Sequence, residues 1–258
     1  MVKEINLQFI RDDDCRQIIH RLIDQIRRAS YHGGIETTDF LDPYTIEVAE
    51  SIMRQEPKLC YQLAGGYKEA ERRRILFTYG EEEWLQDPEI SLYRGLGQGS
   101  WQPEHREILG SLMGLGIDRS KFGDIVIRDN QFFVFIEGDI ANYVRSQLME
   151  VGRESISGEL ISLDGFVYQR EVGTIKRISV ASLRLDAVVS ALVPTSRGKA
   201  QDLIRQERVK VNHHMEKKTV YELTPGDLIS IRKVGRFQLG MDMKTSKKGR
   251  IQCEIEKF

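Results

Sequence analysis

The segment from residue 182 to residue 240 constrains the fold most strongly, because its apolar spacing changes from helical to strand-like within sixty residues. Its first part predicts a helix with one apolar face, formed by Leu185, Val188, Val189 and Leu192. Pro194 ends this helix, and Thr195 or Ser196 then caps a second helix that runs to Arg208. The sequence therefore predicts a helix pair here.

Strands follow the helix pair. Val209 and Val211 alternate with polar residues, as in a strand with one buried face. A Pro-Gly-Asp turn at 225–227 precedes another alternating strand through Ile229 and Ile231. We therefore expect the helix pair to pack on a small curled sheet.

Positive charge is concentrated in this part of the chain. Residues 180–258 hold 16 basic and 9 acidic side chains, a net charge of +7, whereas residues 1–179 hold 22 and 30, a net charge of −8. The second helix carries polar residues at intervals of four, four and three, namely Arg197, Gln201, Arg205 and Arg208. Such a surface neutralises phosphate groups, so it is expected to recognise the shape of an RNA rather than its base sequence.

Nine residues are predicted to contact RNA from the helix pair and the strand after it. They are Arg184, Arg197, Lys199, Arg205, Arg208, Lys210, Asn212, Lys217 and Lys218. Asp186 is expected to orient an arginine rather than to touch RNA. These assignments predict a binding surface and no catalytic residue.

Four motifs of this segment resemble the S-four RNA-binding domain and occur in that family's order. They are Arg184-Leu185-Asp186, Ser196-Arg197 with Ala200, Leu203 and Ile204, the strand 209–212, and Gly226-Asp227 with Ile229. Glu207 and His213 stand where the family usually has glycine, which would ease a left-handed backbone. The resemblance implies an S-four domain over residues 180–258.

The front of the chain reads as two further domains. Residues 1–80 predict an α/β domain, with a helix over 12–29, a second helix near Asp42-Pro43 and two strands. Between those strands, Arg72 to Arg74 are interpreted as a solvated turn, with RNA contact as the alternative. Residues 81–179 predict a ferredoxin-like, RNA-recognition-like domain, in which the aromatic residues of 130–135 belong to the core. The expected class is α+β, with three small α/β-type domains.

Motifs along nearly the whole chain resemble the YlmH family of bacterial RNA-binding proteins. They are TDFLDP at 38–43, AGGY and AERRR within 64–74, the run 102–127, SVASLRLDAVVSAL at 179–192, and GRF with KTSKKGR at 235–250. The resemblance implies a three-part, cytoplasmic factor that binds rRNA and tRNA on the large ribosomal subunit. It also implies a role in the rescue of stalled ribosomes by alanine tailing, and a link to cell division.

Two other classes remain as alternatives. An RNA-modifying enzyme, such as a pseudouridine synthase or a methyltransferase, often carries an S-four domain. Arg184-Leu185-Asp186 is similar to a string in the catalytic loop of pseudouridine synthases, but here it lies in the predicted binding module. The glycine-rich cofactor loop that a methyltransferase needs is not found. The other is a scaffold for cell division or a membrane complex, with incidental RNA affinity. A non-enzymatic protein is therefore the prediction.

The sequence predicts neither a metal nor a cofactor. Cys15, Cys60 and Cys253 are far apart and form no CxxC pair, so they are expected to be reduced thiols. His213-His214 could bind a metal at a hairpin tip, but the sequence offers no further metal ligands at a suitable spacing. The chain shows neither a membrane-spanning apolar run nor a leader pattern, so a cytoplasmic protein without membrane insertion is expected, as a monomer.

Overall fold

A computed structural model describes residues 7–8, 10, 12–81, 85, 88–99, 101–169, 173–246 and 249–258. The chain forms two compact units, Met1–Tyr168 and Gln169–Phe258. Helices and antiparallel sheets occur in both, which confirms the predicted mixed class. In the part of the chain that the structure describes, none of the helices combines the length and the hydropathy of a membrane span.

The first unit begins with two helices and a three-stranded sheet. Its elements are α1 (Asp13–His32), β1 (Ile35–Thr37), α2 (Pro43–Met53), β2 (Cys60–Ala64) and β3 (Arg74–Thr78). Asp12 caps α1 by accepting a hydrogen bond from the amide of Cys15, and the predicted apolar face is buried through Ile19, Leu22, Ile23 and Ile26. The sheet order is β1-β3-β2, and every residue of the central strand is buried.

Asp42 fixes the start of α2, because its carboxylate accepts bonds from the amides of Tyr44 and Thr45 and from the hydroxyl of Thr45. We expect Asp42→Ala to lower the free energy of unfolding of this unit by about 1 to 2 kcal/mol, because helix amides lose their acceptor. Hydrogen exchange of the α2 amides measures this loss. The control is Asp14→Ala, an exposed acid in the first turn of α1, and an equal effect of both changes would contradict the capping role.

A five-stranded sheet with two helices completes the first unit. Its elements are β4 (Ile90–Gly97), α3 (His105–Gly114), β5 (Phe122–Arg128), β6 (Gln131–Glu137), α4 (Gly138–Gln147), β7 (Glu150–Val151) and β8 (Glu154–Ile161). The strand order is β5-β6-β4-β8-β7, all antiparallel. Without the short β7, this is the βαββαβ topology of the ferredoxin-like fold, as predicted.

Both faces of this sheet are covered. On one face, Phe132, Val134 and Ile136 of β6 share a core with residues of α3 and α4. On the other face, Phe133 and Phe135 pack in a cluster with Phe40, Tyr67 and Phe166, and the ring centroids of Tyr67 and Phe135 are 4.9 Å apart. The prediction that the β6 aromatics form core is confirmed. RNA-recognition domains stack bases on such a sheet face, so this protein does not present that surface.

The interpretation of Arg72 to Arg74 as a solvated turn was wrong. Arg74 is only 6% exposed and donates to the carbonyl oxygens of Thr38, Pro88 and Glu89. Arg72 donates to the carbonyl oxygens of Phe40 and Phe122, at 2.7 and 3.0 Å. Loop carbonyls that are buried need donors, and these guanidinium groups supply them.

The second unit is a helix pair on a six-stranded antiparallel sheet. Its elements are β9 (Thr174–Val180), α5 (Leu185–Leu192), α6 (Arg197–Arg205), β10 (Val209–Val211), β11 (His214–Met215), β12 (Leu228–Ile231), β13 (Gly235–Thr245) and β14 (Ile251–Lys257). The strand order is β11-β10-β12-β13-β14-β9. The predicted domain borders at residues 80 and 179 stay predictions. Strand β9, which spans the second border, pairs with β14 in this sheet.

Candidate nucleic-acid interface

A buried carboxylate organises the arginines of the helix pair. Asp186 lies in the first turn of α5 and its side chain is 0% exposed. It accepts bonds from Arg184 at 3.1 and 3.3 Å, from Nη2 of Arg197 at 2.8 Å and from Nε2 of Gln201 at 2.8 Å. The carboxylate thus joins the start of α5 to one face of α6, as expected for a residue that orients arginines.

The ionisation of Asp186 follows from these bonds. Burial alone raises the pKa of its carboxyl group, but the bonds from Gln201, Arg184 and Arg197 outweigh burial and lower the pKa to about 2. Asp186 is therefore charged at neutral pH. Its two arginine partners keep their outer surfaces in solvent, with side chains 36% and 52% exposed for Arg184 and Arg197.

The second helix starts as predicted but ends earlier. Ser196 caps α6 through the amide of Lys199, and the helix ends at Arg205 rather than at Arg208. The amide of Glu207 donates to the carbonyl of Ile204, and that of Arg208 to the carbonyl of Leu203, a Schellman arrangement. Glu207 adopts the left-handed conformation, with φ at 57°, although it is not glycine. Arg208 therefore lies between α6 and β10, and its placement on the helix face was wrong.

The strand after α6 carries the predicted alternation. Val209 and Val211 are buried, and Lys210 between them is exposed. Asn212 and His213 then turn the chain with φ angles of 48° and 68°. The Asn212 side chain donates to Asp227 at 2.8 Å and accepts from the amide of Leu228 at 2.9 Å. It thus holds the turn in place, and its predicted contact with RNA stays a prediction.

Other predicted cations lie around the end of α6. Lys217 pairs with Glu207 at 2.6 Å, which joins the segment after β11 to the helix end. Arg205 pairs loosely with Asp202, at 3.6 Å, and stays 64% exposed. Lys199 and Lys218 are exposed, whereas Arg208 is half-buried. The contacts thus bring Arg184 and Arg197 together on Asp186, and Lys217 to the end of α6.

Two further residues shape this region, and neither was among the predicted contacts with RNA. Arg236 of β13 pairs with Ser230 of β12, which pairs with Lys210 of β10, so the two cations lie on one sheet face two strands apart. The alternation of polar and apolar residues along β13 was the signal that could have placed Arg236 on this face. Asp227 is 7% exposed and accepts from Thr224 and Asn212, so it builds the turn before β12.

This combination of a helix pair, a curled sheet and oriented arginines defines the S-four class of RNA-binding domain. Comparisons with known sequence families agree. Residues 183–229 match the family described as "S4 domain", residues 100–164 match "Putative RNA-binding domain in YlmH", and residues 14–81 match "YlmH, N-terminal".

A relative extends this similarity over the whole chain. The Ribosome-associated protein quality control protein P2 of Bacillus subtilis (strain 168) is 34% identical over 254 residues, which cover 97% of this chain and 98% of the relative. The chain therefore belongs to the YlmH family. A solved structure, the Cell division protein ylmH from Streptococcus pneumoniae, matches 64% of this chain and 97% of its own, with a TM-score of 0.51. At 18% identity, that likeness shows the fold alone.

Proposed function

We propose that the protein is a non-enzymatic RNA-binding factor of the ribosome. It binds structured RNA through the S-four surface, and its targets are rRNA and tRNA on the large ribosomal subunit. The observation that carries the proposal is the Asp186 cluster, which holds Arg184 and Arg197 in fixed positions while half of the Arg197 side chain faces solvent. Arginine is suited to phosphate because its planar group donates two parallel bonds.

The similarity to a ribosome-associated quality control protein supports the ribosomal target. We infer from it that the chain acts when ribosomes stall, in the alanine tailing of stalled nascent chains. A cytoplasmic location follows from that role. A link to cell division is part of the same proposal, since the bacterial structure named above carries that description.

Density-gradient sedimentation tests the proposal. A tagged chain is expected to migrate with the large subunit, and crosslinking with sequencing is expected to recover its rRNA and tRNA. Changing Arg197 and Arg205 to glutamine removes two positive charges from α6 and is expected to shift the protein to the top of the gradient.

The matched control is Arg177→Gln, because Arg177 is an exposed arginine on β9 of the same unit. Migration of the wild-type chain at the top of the gradient would contradict the ribosomal target. A covalent change in the recovered RNA would point instead to a modifying enzyme, and partners that survive nuclease would point to a scaffold.

A further inference from the structure

A cleft of about 940 Å³ opens in the first compact unit. One wall is the polar face of α1, which includes Arg21 and Gln25, and the loop 38–42 forms another. Arg72 and the turn at 118–121 complete the lining. Its volume lies within the range of small-molecule sites in proteins, roughly 300 to 1,000 Å³.

Several acidic side chains in the lining are engaged by neighbouring groups. Asp39 accepts from Lys121 at 2.8 Å and from the hydroxyl of Ser120 at 3.1 Å. Asp42 caps α2, and Asp118 accepts from the amide of Ser120 at 2.8 Å. Asp24 pairs with Arg27. The negative charges of the lining are thus largely committed to local structure.

Two arginines of the lining are fixed by backbone carbonyls instead. Arg72 and Arg119 both donate to the carbonyl oxygen of Phe122, at 3.0 and 2.5 Å, so their positive charges are adjacent. Within the described part of the chain, neither guanidinium has a carboxylate within ion-pair distance, 4.0 Å. Burial and the nearby charge of Arg72 lower the pKa of Arg119 to about 10, against the opposing effect of the Asp124 carboxylate, and Arg119 stays charged at neutral pH.

A third cation faces these two from α1. Arg21 lines the cleft and is exposed, and no ion pair of this side chain is present among the described residues. Two guanidinium groups held by carbonyls and one exposed guanidinium group therefore line the same cleft. The nearby carboxylates of Asp118 and Asp124 are themselves held by hydrogen bonds from Ser120, Tyr67 and backbone amides. An anion would relieve the repulsion between Arg72 and Arg119.

We propose that this cleft binds the phosphate group of a nucleotide, either free or at the end of an RNA chain. Arg72 and Arg119 act as fixed donors, because their carbonyl partners hold them before the ligand arrives. Arg21 closes on the phosphate from α1. Guanidinium groups bind phosphate through paired, charge-assisted hydrogen bonds, which distinguishes this ligand from a neutral nucleoside. The site uses none of the S-four residues and does not rest on the proposed function.

The full-length chain is titrated with AMP, inorganic phosphate, adenosine and a short 5′-phosphorylated RNA. An Arg197→Gln/Arg205→Gln background removes anion binding at α6. Arg21→Ala and Arg119→Gln are each expected to weaken AMP binding about tenfold, since one charge-assisted bond is lost. Arg145→Ala is the matched control, because it removes an exposed arginine of α4 in the same unit and is expected to leave the affinity unchanged.

The ligands separate the two sources of the phosphate. Tighter binding of AMP than of the RNA identifies a free nucleotide, and the reverse identifies an RNA end. The proposal is overturned by an absence of AMP binding at millimolar concentration, by equal binding of adenosine, or by unchanged affinity in Arg21→Ala. If Arg119→Gln does not fold, Arg21→Ala decides alone, because its side chain is exposed.

Discussion

Replacement of both Arg197 and Arg205 by glutamine is expected to weaken RNA binding about 100-fold while the second unit stays folded. Both side chains are more than half exposed on α6, and each is expected to supply one charge-assisted contact to phosphate. Loss of one such contact costs about tenfold in affinity. Glutamine keeps a similar length and helix propensity, so the change removes charge rather than the helix.

The salt dependence of binding separates this explanation from a general loss of structure. The slope of the logarithm of the binding constant against the logarithm of salt concentration is expected to fall by roughly 2, one for each lost phosphate contact. Binding of the purified full-length chain to rRNA and tRNA at several salt concentrations gives both quantities. Arg177→Gln, on β9, is expected to change neither. A folded double variant with wild-type affinity would refute the assigned surface.

Asp186→Asn is expected to lower the stability of the second unit by about 2 kcal/mol and to weaken RNA binding. The buried carboxylate accepts four hydrogen bonds, and the asparagine amide would turn donors toward Arg197 or Gln201. Without this acceptor, the two arginines lose their fixed orientation. Hydrogen exchange of the α5 and α6 amides measures the first effect, and a binding titration measures the second.

The stabilisation by Asp186 also depends on pH in a defined direction. Its pKa in the folded protein, about 2, lies below the ordinary value of 3.8, so the contribution is present above pH 4 and is lost as the pH falls toward 2. The difference in melting temperature between wild type and Asp186→Asn is therefore expected to shrink between pH 4 and pH 2. Asp202→Asn is the control on α6, since that acid is 62% exposed. A constant difference across this range would show that the charge of Asp186 is not involved.

Local patterns explain why the helix pair could be predicted. Leu185, Val188 and Val189 follow the helical repeat, and the structure buries all three. The alternation of Val209 and Val211 likewise gave the correct buried face of β10. Asp186 was correctly expected to orient an arginine, since its buried carboxylate accepts hydrogen bonds from Arg184 and Arg197, and a buried charge requires such partners.

Long-range hydrogen bonds explain what could not be predicted. Arg72 and Arg74 satisfy carbonyls of residues such as Phe122 and Pro88, and no local pattern links positions so far apart. The early end of α6 has a different cause. Glu207 takes the left-handed conformation that glycine usually provides, so the residue type itself gave no signal for the helix end.

The aromatic cluster on the second face of the ferredoxin-like sheet has a consequence for folding. Phe40 and Tyr67 come from the amino-terminal part, whereas Phe133 and Phe135 come from β6, and neither side can be hydrated without uncovering the other. The segments 14–81 and 100–164 are therefore expected to unfold together, as one cooperative unit. A destabilising substitution in either of these segments is therefore expected to lower the stability of both.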